Sequence, residues 1–274
     1  MIYVFAALFC EVKPLVGKYD MKPDGNGPFG SFVSPDGRIR VILTGIGKTG
    51  AAAAVAYACA TYGTGADDFV LNIGSAAGGA SRSGAYLINK VTDDDSGRSY
   101  YPDMLYNTGL RESAVTTVSK IATEEKVASD PGMLWEMEAS GFFDAARLFM
   151  PPHRIQLIKA VSDSGHDSGK EITDAMLEET IRASLDDIVC AIEVYLKVDE
   201  AESACVPDVS GLSDEFRCSE TMRQDLIKLL IYCSNSGRDA SVILDGMRSE
   251  GLIPAADRRS GKEALNEFKR RILQ

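Results

Sequence analysis

The sequence is poor in histidine, the commonest metal ligand in proteins. Its 274 residues include two histidines, His153 and His166, and neither belongs to a paired metal-ligand pattern. The six cysteines contain no C-x-x-C pair, so we expect reduced thiols and neither a disulfide framework nor a zinc site. We therefore predict that the protein has no metal centre.

The sequence also lacks a long apolar segment and an excess of positive charge. The first residues, Met1 to Leu8, are apolar but too short to cross a bilayer, and no basic segment accompanies them. Lys and Arg number 29 against 40 Asp and Glu, and the resulting net charge of −11 disfavours nucleic acids and anionic membranes as partners. These features predict a cytoplasmic protein. They do not disfavour a small neutral molecule as its partner.

Strand-like and helix-like segments alternate through the first 198 residues. The predicted strands cover residues 1–8, 38–43, 69–73, 85–91, 133–137 and 155–161. The predicted helices cover residues 47–62, 145–149 and 173–197, the last with Thr173 in its N-cap region. This alternation predicts an α/β domain with a largely parallel sheet, whose site lies at the carboxyl ends of the strands.

The remaining residues have a different composition. Residues 199–211 are rich in Asp, Ser and Pro and are predicted to form a linker. Three short helical patterns follow, at residues 219–233, 238–248 and 262–273. We therefore predict two domains, residues 1–198 and a helical C-terminal extension at residues 199–274, which either contacts a partner or caps the first domain.

The segment from Gly45 to Gly50 matches the glycine pattern G-x-G-x-x-G. A dinucleotide site needs an acidic residue after the next strand, whereas Asp67 and Asp68 precede it. A P-loop needs a glycine where this chain has Ile42. The glycines predict close approach of the backbone to a ligand at the start of a helix, but no nucleotide cofactor.

Five short motifs occur in a defined order along the chain. They are A-L-F-C-E-V at residues 7–12, T-G-I-G-K at 44–48, L-N-I-G-S-A-A-G-G at 71–79, E-M-E-A at 136–139 and K-A-V-S-D at 159–163. In this order they resemble the nucleoside phosphorylase superfamily, most of all its 5′-methylthioadenosine/S-adenosylhomocysteine nucleosidase branch. The resemblance spans residues 1 to about 197. It implies a three-layer α/β sandwich with a central mixed sheet, to which the C-terminal helical appendage is added.

The resemblance assigns roles to three carboxylates. Asp163 is expected to deliver or share a proton at N7 of a purine, and Glu11 is expected to activate water. Glu138 is expected to bind the ribose hydroxyls as a charged acceptor. Protonation of the leaving base, stabilisation of the sugar cation and activation of a nucleophile are the three tasks that cleavage of an N-glycosidic bond requires.

The resemblance also supplies substrate-binding residues. Met137 is expected to pack against the sugar, and Ser75 to position the water or a sugar hydroxyl. Ala76 and Ser162 complete the predicted set. The expected ligand is a purine nucleoside of the adenosine type, and a homodimer or larger homo-oligomer is implied.

Two residues favour water over phosphate as the nucleophile. Phosphorolytic relatives have an arginine three residues before the serine of the G-S segment, and this chain has Asn72 there. Glu11 stands where those relatives have a phosphate-binding loop, and a carboxylate would repel phosphate. Hydrolysis is therefore the preferred interpretation. A purine nucleoside phosphorylase and a non-catalytic nucleoside-binding protein are the alternatives.

The family's base-stacking aromatic has no evident counterpart in residues 123–134. Tyr100 and Tyr101 are a candidate replacement, although an exposed loop is the preferred interpretation of that segment. His166 could line the pocket, but a loop histidine with no role is preferred.

Overall fold

The computed structural model describes residues 1–25, 27–65, 67–165, 172–204 and 207–273. These residues form two compact units, Met1–Asp199 and Glu200–Gln274. Each unit has its own apolar core.

A ten-stranded sheet organises the first unit. Its strands are β1 (Ile2–Ala6), β2 (Lys22–Pro23), β3 (Ser31–Val33), β4 (Ile39–Leu43), β5 (Phe69–Gly78), β6 (Ala85–Asp93), β7 (Ser99–Tyr100), β8 (Arg111–Thr117), β9 (Leu134–Glu136) and β10 (Ile155–Asp163). The helices of this unit are α1 (Lys13–Lys18), α2 (Lys48–Tyr62), α3 (Glu124–Ser129), α4 (Ala139–Ala146) and α5 (Asp174–Ala183), and α6 (Leu185–Ala204) begins in it.

The strand order is β10-β6-β8-β9-β5-β1-β4-β3-β2, and β10 also pairs with β5. Strands β10, β6, β8, β9 and β5 therefore form a closed ring, in which each strand pairs with two others. The sheet contains parallel pairs, such as β1–β5 and β5–β10, and antiparallel pairs, such as β5–β9 and β6–β10. The sheet is mixed, as the family resemblance implied. The most extensive pairings, β1–β4, β5–β10 and β6–β8, are parallel, as the alternation predicted, and short strands joined without a helix, such as β2 and β3, add antiparallel pairs.

Strand β1 shows how the layers form. Ile2, Val4 and Ala6 enter one core, in which residues of α1, α5 and α6 pack against the sheet. Tyr3 and Phe5 alternate to the opposite core, which contains the apolar faces of α2 and α4. Because both faces of the sheet are covered by helices, the predicted three-layer α/β sandwich is confirmed.

The structure corrects three sequence-based boundaries. The small residues of Gly74–Gly78 continue strand β5 instead of forming a loop, because both neighbouring strands pair with them. The single helix predicted at residues 173–197 is interrupted at Ser184, although Thr173 caps its start as expected. The linker predicted at residues 199–211 is helical up to Ala204 in α6 and again from Ser210.

The second unit contains the three predicted helices and one that the sequence did not indicate. Helices α7 (Ser210–Glu215), α8 (Glu220–Asn235), α9 (Ala240–Ser249) and α10 (Arg258–Leu273) surround a core with Phe216, Leu226, Met247 and Phe268 at its centre. Across the described residues of both units, we find no helix with the length and apolarity that a membrane span requires.

Gly141 permits close contact between α4 and the first residue of α2. A Cβ atom at Gly141 would overlap the carbonyl oxygen of Lys48. We expect Gly141→Ala to lower the free energy of unfolding by about 1 to 3 kcal/mol, since overpacking forces the backbone apart. Urea unfolding measures this change.

Gly17→Ala is the matched control, because Gly17 lies exposed in α1 with no atom near the added methyl group. We expect it to be neutral or to stabilise the protein by up to about 1 kcal/mol. Equal losses in the two variants would contradict the role of the α2–α4 contact.

Candidate active site

A cavity of about 350 Å³ opens beside the ends of β5, β9 and β10. The turn before α1 and the start of α5 complete its wall. The structure brings together in this cavity every site residue predicted from the sequence: Glu11, Ser75, Ala76, Met137, Glu138, Ser162 and Asp163.

Glu11 is buried at one side of the cavity and is held by three donors. Its Oε1 accepts hydrogen bonds from the Ser75 amide at 2.8 Å and from the Ser75 hydroxyl at 2.7 Å. Its Oε2 accepts one from the Leu8 amide at 3.1 Å. The carboxylate is therefore fixed in position, and Oε2 retains a lone pair for a further donor such as water.

A buried ion pair joins Glu136, which lines the cavity, to Lys159, which lies outside the lining. Lys159 Nζ lies 2.9 Å from Glu136 Oε2, and both side chains are 1% exposed. The same carboxylate oxygen accepts the amides of Glu138 and Ala139 at 2.9 and 2.8 Å, and Oε1 accepts the hydroxyl of Thr117 at 2.6 Å. Glu136 thus joins β8, β9, β10 and the start of α4.

Gly74 explains why a glycine precedes the serine of the G-S segment. A Cβ atom there would lie 3.1 Å from Glu11 Oε1 and 3.4 Å from Lys159 Nζ. Both charged groups therefore approach the backbone of β5 at the same place. Any larger residue would displace the carboxylate, the ammonium, or both.

Glu138 closes the opposite side of the cavity at the start of α2. Its Oε1 accepts the Gly47 amide at 2.7 Å, so the glycine segment before α2 binds a carboxylate of the protein itself. Within the described chain Oε2 has no hydrogen-bond partner and is available to a ligand. Burial, followed by the charges of Glu136 and Glu11, raises the pKa of Glu138 to about 7 against the lowering effects of Lys159 and the Gly47 amide.

Lys159 supplies the positive charge that this group of carboxylates needs. Burial alone would lower the pKa of its ammonium group, but the charges of Glu136, Glu138 and Glu11 outweigh burial, and the pKa is raised. Lys159 is therefore charged at neutral pH and offsets part of the negative charge.

Asp163 lies at the end of β10. Its Oδ2 accepts the Ser162 hydroxyl at 2.6 Å, and its Oδ1 accepts the Gly165 amide at 2.8 Å. The register of β10 against β5 shifts between Val161 and Asp163, so that Ser162 is an extra residue. This irregularity lets the adjacent side chains of Ser162 and Asp163 both line the cavity.

The cavity is strongly acidic. Glu11, Glu136, Glu138, Asp163 and Asp174 line it, and its described lining contains no lysine, arginine or histidine. Within the described ranges, no group of three or more His, Cys, Asp or Glu residues is arranged to hold a metal ion.

Asn72 contributes no charge to this site. It is buried in β5, outside the cavity lining, and its Nδ2 donates to the carbonyl oxygen of Phe5 at 3.1 Å.

Sequence reasoning missed several residues around the cavity. Trp135, Glu136 and Asp174 line it, and Lys159 lies outside the lining but pairs with Glu136. Glu136 and Lys159 are the first residues of the E-M-E-A and K-A-V-S-D motifs, and their place in these motifs could have predicted that they lie near the cavity. Trp135 immediately precedes E-M-E-A and carried no pattern of its own.

The tyrosine segment lies away from the cavity. Tyr100 packs against Phe143, and Tyr101 is 64% exposed, as expected for the preferred loop interpretation. His166 lies outside the described residues.

Comparison with solved structures identifies the class of fold: the chain has the fold of 5′-methylthioadenosine/S-adenosylhomocysteine nucleosidases. The Neisseria meningitidis nucleosidase, in complex with methylthio-immucillin-A, is 21% identical over 72% of this chain and 98% of its own, with a TM-score of 0.56. The fold implied by the sequence motifs is therefore confirmed.

Two further nucleosidases have the same fold. The Colwellia psychrerythraea enzyme, in complex with adenine, is 20% identical over 71% of this chain and 95% of its own, with a TM-score of 0.59. The Streptococcus pneumoniae enzyme, with a transition-state inhibitor, is 18% identical over 70% and 98%, with a TM-score of 0.60. No protein-family model matches the sequence, and no curated protein matches it in sequence.

The raised pKa of Glu138 predicts a pH-dependent cost to stability. The folded protein favours the neutral carboxyl group, so the free energy of unfolding falls as pH rises from the usual pKa of 4.5 through about 7. Glu138→Gln removes this titration. We expect the variant to match the wild type near pH 4.5 and to exceed its stability by up to about 3 kcal/mol at pH 8.

Urea unfolding of both proteins at pH 4.5, 6 and 8 measures the difference. A constant difference across this range would show that Glu138 titrates equally in the folded and unfolded chain.

Removal of Lys159 should leave the Glu136 carboxylate buried without a counter-charge. We expect Lys159→Met to lower the free energy of unfolding by about 3 to 5 kcal/mol at pH 7. Lys159→Arg keeps the charge and serves as the matched variant, with a smaller expected loss. Chemical denaturation measures both, and equal losses would assign the effect to packing.

Proposed function

We propose that the protein hydrolyses the N-glycosidic bond of a purine nucleoside of the adenosine type. The observation that carries this proposal is the arrangement of Glu11, Glu138 and Asp163 around one cavity whose described lining contains no cation. The nucleosidase fold supports the same class of reaction.

In the proposed reaction, Asp163 delivers or shares a proton at N7 of the base. The bond between the anomeric carbon and N9 breaks, and its electron pair passes to the base. Water attacks the anomeric carbon, and Glu11 takes a proton from this water. The products are the free purine and the sugar with a hydroxyl group at the anomeric carbon.

The remaining groups bind and orient the sugar. Glu138 Oε2 is available to accept hydrogen bonds from the ribose hydroxyls, and the ionised carboxylate would strengthen them. Because a sugar cation develops as the bond breaks, the surrounding carboxylates stabilise the transition state more than the neutral substrate. Met137 packs against the ribose, and Ser75 fixes the Glu11 carboxylate that activates water.

The electrostatics of the cavity favour water over phosphate. A phosphorylase must hold a dianion beside the sugar, which requires cationic or amide donors. Here Lys159 is bound to Glu136, and the amide of Gly47 is bound to Glu138. Phosphate would meet carboxylates with no described cation free to pair with it, whereas neutral water meets no such repulsion.

The substrate class is part of the proposal. The Neisseria meningitidis neighbour is in complex with methylthio-immucillin-A and the Colwellia psychrerythraea neighbour with adenine. Methylthioadenosine, S-adenosylhomocysteine and 5′-deoxyadenosine are therefore the first substrates to test. The cavity volume is at the lower end of the range for small-molecule sites.

We also propose that the protein acts as a homodimer or larger homo-oligomer in the cytoplasm. Ile46 and Ile121 line the cavity and are 60% and 53% exposed. Such apolar residues at a cavity rim favour cover by another protein surface.

A product assay tests the proposed reaction. The protein is incubated with methylthioadenosine, S-adenosylhomocysteine, 5′-deoxyadenosine, inosine and uridine, with and without inorganic phosphate. We expect adenine and the free sugar from the first three, at rates that do not depend on phosphate. Strict phosphate dependence with a sugar 1-phosphate as product would instead establish a phosphorylase.

Two variants separate catalysis from binding. Asp163→Asn and Glu11→Gln should each reduce kcat by about 100-fold or more while adenine binding persists, because general acid and base catalysis contribute about 10² to 10⁴. Binding of nucleosides without cleavage of any of them by the wild type would favour the non-catalytic alternative.

A further inference from the structure

The register of three neighbouring strands places Trp135 across the sheet from the proposed acid. Asp163 of β10 pairs with Ala77 of β5, and Ala77 pairs on its other side with Trp135 of β9. All three residues line the cavity. Since adjacent strands are about 4.8 Å apart, the backbones of Asp163 and Trp135 are separated by roughly 10 Å. Strand β5 lies between them, and its side chain at this position is only the methyl group of Ala77.

The indole ring of Trp135 has one cation–π contact within the described chain, and its N–H group has no hydrogen-bond partner there. Lys126 Nζ lies 5.1 Å from the ring centroid and also pairs with Asp94, and Lys126 is not part of the cavity lining. The indole Nε1 is buried and has no hydrogen-bond partner within the part of the chain that the structure describes. Trp135 is also the single aromatic residue in the described cavity lining.

We propose that Trp135 forms the wall of the base subsite and packs its indole ring against the purine. The inference rests on the proposed function, because it requires the base to lie beside Asp163. A purine that receives a proton from Asp163 at N7 extends over Ala77, whose small side chain leaves the space open. The other edge of the ring system then reaches the indole.

This arrangement makes Trp135 a specificity-determining residue. Packing of a base on an aromatic ring depends on the area of the two ring systems, so the site favours the bicyclic purines over the smaller pyrimidines. Trp135 would also take the place of the family's base-stacking aromatic residue, which has no evident counterpart in residues 123–134.

The chain contains a single tryptophan, so its emission reports directly on this subsite. Wild-type protein is titrated with adenine, hypoxanthine and uracil, with tryptophan fluorescence as the readout and calorimetry as an independent measure of binding. We expect adenine to change the emission with the same midpoint as the calorimetric titration. Uracil should bind at least about 10-fold more weakly.

Three variants complete the test. Trp135→Leu should weaken adenine binding and raise KM by roughly 10- to 100-fold. Trp135→Phe retains an aromatic face and should lose less than the leucine variant. Tyr101→Leu is the control, because Tyr101 is an exposed aromatic residue outside the cavity, and it should behave as the wild type. Thermal unfolding of each variant verifies that the fold is intact.

The outcomes distinguish this inference from the proposed function. Adenine binding without any change in tryptophan emission overturns the inference, as does a Trp135→Leu enzyme with wild-type KM. Cleavage of purine nucleosides in either case leaves the proposed function standing. Adenine-dependent emission in a protein that cleaves no nucleoside supports the base subsite and overturns the proposed function. Absence of adenine binding overturns the inference.

Discussion

Lys159 and Glu136 meet at 2.9 Å in the interior of the first unit, and the other charged groups of the cavity depend on this contact. Three carboxylates, Glu11, Glu136 and Glu138, are buried around one ammonium group. Removal of a charge from water costs several kcal/mol unless a partner and hydrogen bonds compensate it. Glu136 is compensated by Lys159, two amides and a hydroxyl, whereas Glu138 has only one amide and accordingly has a raised pKa. The ion pair therefore lets an acidic cavity exist within a folded protein.

The seven residues predicted from the sequence line one cavity, whereas the segments around that cavity were predicted less well. The seven predicted residues lie in short motifs at the ends of strands, and sheet topology brings such ends together. The continuation of β5 through Gly74–Gly78 could not be predicted, because small residues resemble a loop until the flanking strands are known. The break at Ser184 likewise depends on how α5 and α6 pack against the sheet. Trp135 was missed because its position across from Asp163 is a matter of register between distant segments.

The three nucleosidases compared above match only part of this chain. The solved nucleosidases are matched over 95% to 98% of their own length, yet they cover only 70% to 72% of this chain. The unmatched share is roughly the size of the second unit, Glu200–Gln274. That unit has a core of its own, with Phe216, Leu226 and Phe268 fully buried. Its helices α7 to α10 therefore have an apolar core of their own.

The contact between Glu138 and the Gly47 amide has a consequence for molecules that resemble the proposed substrate. In many nucleotide-binding folds, a glycine-rich turn before a helix is the place where a phosphate group docks. Here a carboxylate of the protein occupies that place. A 5′-phosphorylated nucleotide would bring two further negative charges into this acidic environment. Its phosphate group would not find a free amide at Gly47, because Glu138 already accepts that hydrogen bond.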